Sequence, residues 1–188
     1  MATRSIATSH DPTVARLHAM PDDGNRYEII DGVLHVTPAP RLVHQRALRQ
    51  VYDLLMPYAK AAGLEILWSP ADIQYSECTV VQPDLFGVAR VPGRPVRDWQ
   101  DLQPLSLVVE VLLRSTRTRD RTVKRSLYQA QGIPEYWIID TDARVIERWR
   151  PGSTAAECLA HSISWQPMAS VAPLDIDVVA YFAAVLDG

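Results

Sequence analysis

The stretch LVVEVLLRST, residues 107–116, places a single carboxylate inside an apolar run. Six apolar residues flank Glu110, and three of them are valines. A short, continuous run that is rich in β-branched residues predicts a strand covered on both faces. A carboxylate in such a strand is costly unless another group pairs with it or a metal binds it. Glu110 therefore indicates either a buried ion pair or a functional site.

The sequence before this strand predicts a hairpin, a long helix and several short strands. The run RYEIIDGVLHVTP (26–38) predicts a hairpin, because Asp31-Gly32 favours a two-residue type I′ turn. Apolar residues recur at helical spacing over 41–63, which predicts a helix that ends at a glycine and is kinked or split by Pro57. Further strands are expected in LEILW, ADIQY and TVVQPDLFGVA, the last with a proline inside it.

The sequence after this strand predicts a helix that connects two strands of one sheet. We expect the helix over 118–131 and the next strand at EYWIID (135–140), whose aromatic residues belong to the core. A hairpin over 144–165 and a short amphipathic helix over 175–186 follow, and 90–104 has the composition of a surface loop. The pattern predicts an α/β (α+β) fold with a mixed central sheet and one long helix packed early.

Length and composition are typical of one globular domain. The chain has 188 residues, a net charge of −3 and two cysteines without a CxxC pattern. These features argue against a thiolate zinc site and a disulfide scaffold, and they favour a cytoplasmic location. No apolar run reaches the ~18 residues of a membrane span, and the N-terminus lacks the apolar core of a signal peptide. We expect a flexible lead-in over 1–20, a single domain over 21–188 and no membrane partner.

Two strand carboxylates and one helix lysine suggest a site for phosphate chemistry. Asp84 follows a proline 26 residues before Glu110, and Lys124 follows Glu110 by 14 residues. Two acids on adjacent strands can share one Mg²⁺ ion, which keeps several waters and needs one or two carboxylates. Such an ion polarises a phosphodiester and activates a water, and a lysine can stabilise the developing negative charge. The three residues together therefore predict a phosphodiesterase site.

A basic run follows the same strand. Residues 114–125, RSTRTRDRTVKR, contain six basic residues and one acid. On a helical wheel Arg121, Lys124 and Arg125 share one face, and the opposite face around Val123 is expected to pack inward. We interpret Arg117, Arg121 and Arg125 as contacts to the phosphate backbone of DNA. The alternative is a solvated face that binds nothing.

Five motifs are similar to those of a known family. RYEIIDG, PDLFGV, VVEVLLRST, RDRTVKRSLY and GIPEYWIID occur in this order and span nearly the whole chain from Tyr27 onward. They resemble the Uma-type family of restriction endonucleases, a branch of the PD-(D/E)xK nuclease superfamily. The resemblance implies a restriction endonuclease-like core, a mixed sheet of four or five strands flanked by helices, with hairpins near both termini. It also implies an endonuclease that hydrolyses DNA with Mg²⁺, for which Mn²⁺ can substitute.

The resemblance further implies roles for individual residues. Asp84 and Glu110 correspond to metal ligands, with the Val111 carbonyl as a third ligand. Glu28 matches the acid of the family's YE motif and is a further site carboxylate. Lys124 matches the helix lysine that this branch uses for catalysis.

The chain departs from the family pattern at two places. Leu112 stands two residues after the second acid, where the parent motif has its lysine. A long side chain on the solvent-facing helix surface would let Lys124 reach the carboxylates instead. Leu113 and Arg114 stand where the family has Ser-Pro, so the turn that leaves the strand is expected to differ.

The residues leave other interpretations open. Asp84 also fits a turn cap, Glu110 an ion pair in the core, and Lys124 an ordinary solvated lysine. His44 is more simply a solvated or hydrogen-bonded histidine than a site residue. The rival function is a catalytically inactive nuclease-fold module that binds nucleic acid or protein, and a weaker one is a hydrolase of another phosphate ester. Because nucleases that cut both strands commonly act as dimers, a homodimer is expected.

Overall fold

The computed structural model describes residues 13–90, 93, 97–102 and 104–187. Residues 1–12 of the predicted lead-in and several positions of the predicted 90–104 loop lie outside this part of the chain. The helices are α1 (Val14–Leu17), α2 (Leu42–Ala61), α3 (Arg117–Arg119), α4 (Arg125–Ala130) and α5 (Val178–Leu186), with a 3₁₀ turn at Trp99–Asp101 and a π-helical turn at Asp120–Lys124. The strands are β1 (Arg26–Ile30), β2 (Val33–Thr37), β3 (Leu64–Trp68), β4 (Ile73–Ser76), β5 (Thr79–Val81), β6 (Leu85–Ala89), β7 (Leu105–Val111), β8 (Tyr136–Asp140), β9 (Val145–Trp149), β10 (Glu157–Leu159), β11 (Ser162–Trp165) and β12 (Leu174–Asp177).

A mixed six-stranded sheet forms the centre of the fold, with the strand order β10-β9-β8-β7-β6-β3. The strand predicted around Glu110 is β7, and it lies between β6 and β8. β7 and β8 are parallel, and the other neighbouring pairs are antiparallel. The predicted mixed sheet is confirmed, with six strands rather than the four or five that the family implies.

One face of this sheet packs against α2, α5 and the β11–β12 ribbon. The α2 residues buried in this cluster recur at intervals of four, as the sequence periodicity predicts, and they are Ala47, Val51, Leu55 and Ala59. Pro57 lies inside α2 without splitting it. Trp137 is fully buried in the same cluster, and Tyr136 is buried in the cluster on the opposite face of the sheet. The prediction that these aromatics belong to the core is therefore confirmed.

The other face is covered by a second sheet with the order β2-β1-β5-β4 and by α4. The predicted hairpin is β1–β2, and its turn residues Asp31 and Gly32 have φ angles of 50° and 75°. Both values are positive, as a type I′ turn requires. Along β7, Val109 and Val111 pack toward α2, whereas Val108 packs toward the second sheet. The period of two therefore turns Glu110 toward the second sheet and the helix that follows β7.

Two predicted elements differ from the structure. TVVQPDLFGVA is two strands in different sheets, because β5 ends at Val81 and β6 begins at Leu85. Near the C-terminus β9 forms its hairpin with β10, and β11 pairs instead with β12. Consequently the last helix begins at Val178, where Asp177 accepts a hydrogen bond from the Ala180 N–H as the N-cap. No helix in the described residues is long and apolar enough to cross a membrane.

Candidate active site

The fold brings the two predicted acids to the same end of neighbouring strands. β6 and β7 are antiparallel, and Leu85 pairs with Val109. Asp84 directly precedes Leu85 and Glu110 directly follows Val109, so the same register sets the two acids opposite each other. Both are buried, with 2% and 3% of their surface exposed. The break between β5 and β6 at Pro83 is what leaves Asp84 at the start of its strand.

Asp84 is held by three donors from three different elements. The Arg26 guanidinium on β1 donates to Oδ1 at 2.7 Å. The His44 ring on α2 donates to Oδ2 at 3.0 Å, and the Val111 N–H donates to the same oxygen at 2.8 Å. Burial alone would raise the pKa of Asp84, but these donors and the Arg26 charge outweigh it and hold the pKa well below its usual range. Asp84 is therefore a fixed anion.

Glu110 has a different environment. Its Oε1 accepts hydrogen bonds from the Lys124 ammonium at 2.7 Å and from the Tyr128 hydroxyl at 3.1 Å. Burial raises the pKa of Glu110 to about 8, with the Asp84 charge acting in the same direction and Lys124 opposing it. Two adjacent carboxylates thus have pKa values displaced in opposite directions, an arrangement common in catalytic acid pairs.

Lys124 is buried between two acids rather than exposed on the helix surface. Only 1% of the residue is exposed, and its Nζ lies 2.7 Å from Oε1 of both Glu110 and Glu28. Glu28 is fully buried and also accepts the Gln82 N–H at 2.9 Å. Burial alone would raise the pKa of Glu28, yet the Lys124 charge lowers it. The structure therefore joins all three residues in one buried network, and the prediction of a solvent-facing Lys124 is wrong.

An open pocket of about 290 Å³ lies in front of the acid pair. Asp84, Glu110 and Val111 line it, together with His44, Asp120 and two arginines, Arg26 and Arg119. Lys124 and Glu28 lie behind Glu110 and do not contribute to the lining. The cations that face the pocket are therefore guanidinium groups and not the ammonium of Lys124.

Arg119 has unused hydrogen-bonding capacity beside this pocket. Its Nη2 donates to the Thr37 hydroxyl at 2.9 Å and lies 3.2 Å from Glu28 Oε2. Its Nε and Nη1 are buried and have no hydrogen-bond partner. Only 11% of the side chain is exposed. The Nε atom lies 3.7 Å from Asp120 Oδ1, so the guanidinium charge is paired, but buried N–H donors normally find a closer acceptor.

A divalent cation at this pocket would need oxygen donors. In the described part of the chain no three His, Cys, Asp or Glu side chains are grouped as a metal-binding cluster. Mg²⁺, however, usually uses one or two carboxylates and completes its shell with water. The pocket offers Asp84 and Glu110 opposite each other, beside the Val111 backbone, and these oxygen donors fit such an ion. A bound cation has to share Asp84 with Arg26 and His44.

Comparison with known proteins identifies the family of this chain and supports its fold. A family model described as "Uma2: Putative restriction endonuclease" matches residues 14–178. The chain belongs to the Uma2 family. A search of curated proteins found no match. Among solved structures, the Uma2 chain is similar to "a putative nuclease belonging to DUF820" from Anabaena variabilis, with a TM-score of 0.77 and 16% identity over 93% of this chain and 99% of that one. The predicted fold class is confirmed.

The basic run of the Uma2 chain is oriented differently from the prediction. Arg121 is held between the Asp140 and Glu147 carboxylates, with its Nη2 2.8 Å from Asp140. Arg125 lies over the Trp149 ring at 5.1 Å. Val123, expected to pack inward, is 38% exposed. The predicted charged face thus turns toward the protein, with Arg121 paired to buried acids and Arg125 packed on Trp149. Arg117 is exposed and keeps the predicted role as a proposal.

Sequence analysis assigned no role to three pocket residues, Arg26, Arg119 and Asp120, and favoured a non-site role for His44. Arg26 stands two residues before Glu28, and the strand period of two places both side chains on one face. His44 proves to be buried and hydrogen-bonded, one of the two alternatives considered for it. Asp120 was seen only as the lone acid of a basic run, yet Thr116 donates to it at 2.6 Å. Arg119 gave no signal, because its position depends on the π-helical turn.

Proposed function

We propose that this Uma2 protein is a Mg²⁺-dependent endonuclease that hydrolyses phosphodiester bonds in DNA, with Mn²⁺ able to substitute. The observation that carries the proposal is that one pocket joins an acid pair to a buried guanidinium with two unused donors. The acid pair is suited to a hard cation, and the guanidinium is suited to a phosphate oxygen. An ordinary ion pair in the core needs no such opening to solvent.

Each side chain of the pocket has a distinct task in this mechanism. Asp84 and Glu110, with the Val111 carbonyl, would hold the cation, which when bound polarises the phosphodiester and lowers the pKa of an attacking water. Arg26 and His44 fix the Asp84 carboxylate from two sides. Arg119 donates from Nε and Nη1 to a non-bridging phosphate oxygen and stabilises the charge that develops there.

Lys124 acts in this proposal through Glu110. Its ammonium is shared by Glu110 and Glu28, and Tyr128 donates to the same Glu110 oxygen. These contacts fix the orientation of the Glu110 carboxylate and favour its ionised form. Glu28 in turn fixes Lys124. Both are therefore positioning residues for the acid pair, a role that replaces direct contact between the lysine and the phosphate.

The test combines cleavage and metal binding. Purified protein is incubated with supercoiled plasmid and Mg²⁺ or Mn²⁺, and Mn²⁺ affinity is measured by calorimetry. Asp84→Asn and Glu110→Gln should lose both cleavage and Mn²⁺ binding, whereas Asp187→Asn, a change at an exposed acid, should lose neither. Unchanged Mn²⁺ affinity in both site variants would refute the metal site.

A non-catalytic nuclease-fold module is the second candidate. The chain has Leu113 and Arg114 at the turn after β7, and Asp84 already has three hydrogen-bond donors. Such a module would bind nucleic acid in a fluorescence assay and cleave none with either metal. The expected homodimer is a separate matter, because a dimer would place one acid pair on each strand of the DNA. Sedimentation of the protein bound to DNA tests this expectation.

A further inference from the structure

An exposed tryptophan lies at the end of β3, the strand that neighbours β6. Trp68 is the last residue of β3, and it pairs in register with Leu85, the residue that follows Asp84. The Ser69 N–H donates to the Asp84 carbonyl at 3.1 Å, so the chain after Trp68 is tied to the acid itself. Nevertheless 51% of Trp68 is exposed. A large exposed aromatic side chain next to a candidate site suggests a contact with a ligand, whereas single exposed apolar residues elsewhere on a surface are common.

The Trp68 ring is supported from one side and forms the wall of a second depression. The Tyr52 ring on α2 meets it edge-on, with 4.9 Å between centroids and 75° between planes. The depression is lined by Gln45, Leu48, Arg49, Tyr52 and Trp68. Gln45 also lines the acid pocket, so the two depressions share one residue. The ring is thereby held on the α2 side of the sheet, beside the pocket residue Gln45.

Basic residues follow the same path along α2. Arg49 lines the second depression and is exposed, with its Nε 3.4 Å from Asp53 Oδ2. Arg46 is exposed nearby on α2, and α2 has no acid before Asp53. At the other end of the path Arg41 lines a third depression with Arg117, and this depression shares Pro38, Ala39 and Leu113 with the acid pocket. The three depressions thus follow one another over about three turns of α2, or about 16 Å at 1.5 Å per residue.

We propose that Trp68 is a stacking platform for an unpaired nucleobase next to the scissile phosphate. The proposal rests on the proposed nuclease function and specifies its substrate as single-stranded nucleic acid or duplex with unpaired nucleotides. Arg41 and Arg117 contact the backbone on one side of the acid pocket, and the base beside Arg49 stacks on Trp68 on the other. A base inside an intact duplex presents no free face, so stacking on a protein aromatic requires an unstacked nucleotide.

The occupant is inferred from charge and continuity. Arg46 and Arg49 would repel a basic partner and attract a polyanion. An aromatic ring flanked by arginines, adjoining a groove that leads to a candidate phosphate site, is the combination used for single-stranded nucleic acid. A second copy of this chain would bring the same arginines against the surface, and that occupant is tested as an alternative.

The first measurement uses the unaltered protein. Fluorescence anisotropy without divalent metal compares a labelled single-stranded oligonucleotide, the same strand with one abasic position at successive sites, and the fully paired duplex. We expect the single strand to bind more tightly than the duplex, and one abasic position to weaken binding. The intrinsic tryptophan fluorescence should be quenched on binding of the single strand. Equal affinity for all three probes would overturn the proposal while leaving the nuclease function intact.

The second measurement compares two exposed tryptophans. Trp68→Ala should weaken single-strand binding by about 5- to 150-fold, the range that corresponds to ~1–3 kcal/mol for one stacked base. Trp68→Phe should restore part of it. Trp99→Ala is the matched control, because Trp99 is 37% exposed and lies away from the acid pocket.

The outcomes separate the two proposals. Loss of affinity in Trp68→Ala alone, with an unchanged melting temperature, supports the platform. If both alanine variants bind the single strand with equal affinity, Trp68 does not contact the nucleic acid and the proposal is overturned. If Trp68→Ala changes the sedimentation coefficient but not this affinity, Trp68 belongs to a contact between two copies of the chain, and the proposal is also overturned. If the unaltered protein binds no nucleic acid at all, the nuclease function fails first and the platform fails with it.

Discussion

Replacement of Lys124 by alanine should destabilise the fold strongly. The ammonium is buried between Glu28 and Glu110, with both Nζ–Oε1 distances at 2.7 Å. Its removal leaves two buried carboxylates without their shared cation, and breaking a buried ion pair in this way costs about 3–5 kcal/mol. For a domain of this size each kcal/mol shifts Tm by about 2–4 °C, so we expect a fall of roughly 6–20 °C.

The pH dependence of the Lys124→Ala deficit identifies its cause. In the variant Glu110 can escape its uncompensated charge only by binding a proton. A carboxyl whose folded pKa is raised stabilises the fold below its unfolded pKa and loses that contribution as the pH rises. The deficit should therefore be smaller near pH 5 than near pH 8. Adding Glu28→Gln removes one of the two stranded charges and should recover part of the lost stability.

Thermal unfolding followed by circular dichroism measures both effects. Lys60 is the only other lysine and is exposed in the last turn of α2, so Lys60→Ala is the matched control and should change stability by less than ~0.5 kcal/mol. If Lys124→Ala melts within a degree or two of Lys60→Ala at pH 8, the buried network does not hold the fold together and the reasoning is refuted.

Three further predictions use other parts of the structure. Metal-free wild type should lose stability as the pH rises from the unfolded pKa of Glu110 toward about 8, and Glu110→Gln should flatten this part of the stability profile; an unchanged profile would contradict the raised pKa. Arg117→Ala should lower the slope of log K against log[salt] for duplex DNA by about 0.9. Arg121→Ala should leave this slope unchanged and lower Tm, because Arg121 is held by Asp140 and Glu147. Fluorescence anisotropy across a salt series distinguishes the two variants. His44→Leu should remove one hydrogen bond to a buried carboxylate and cost about 1.5–3 kcal/mol, which denaturant unfolding would detect.

Short-range sequence patterns predict the strand around Glu110 and the first hairpin. β7 is an apolar run, and the β1–β2 turn is an Asp-Gly pair, so local composition identified them. The split at Pro83 was not predicted, since β5 and β6 belong to different sheets and a continuous run of apolar residues does not reveal a change of sheet. That split leaves Asp84 opposite Glu110.

The sequence does not predict that the basic face of the helix turns inward, toward the buried acids of the site. A helical wheel identifies which residues share a face of the helix. Whether a charged face turns inward depends on acids elsewhere in the chain, and for Lys124 these acids are Glu28 and Glu110. Arg119 and Lys124 are five residues apart, which on a regular α-helix separates them by about 140°. The π-helical turn at Asp120–Lys124 widens the repeat, and both cations reach Glu28.

The two interpretations of Glu110 that the sequence left open are therefore compatible. Its Oε1 belongs to a buried ion pair with Lys124, and the same side chain borders an open pocket opposite Asp84. The ion pair keeps the carboxylate fixed and favours its charged form, which a metal ligand requires. Arg119 joins the two regions: its Nη2 contacts Thr37 and Glu28, its Nε lies 3.7 Å from Asp120 Oδ1, and neither Nε nor Nη1 has a hydrogen-bond partner. Because this guanidinium also lines the pocket, its N–H groups that lack an acceptor are the donors that we propose for a phosphate oxygen.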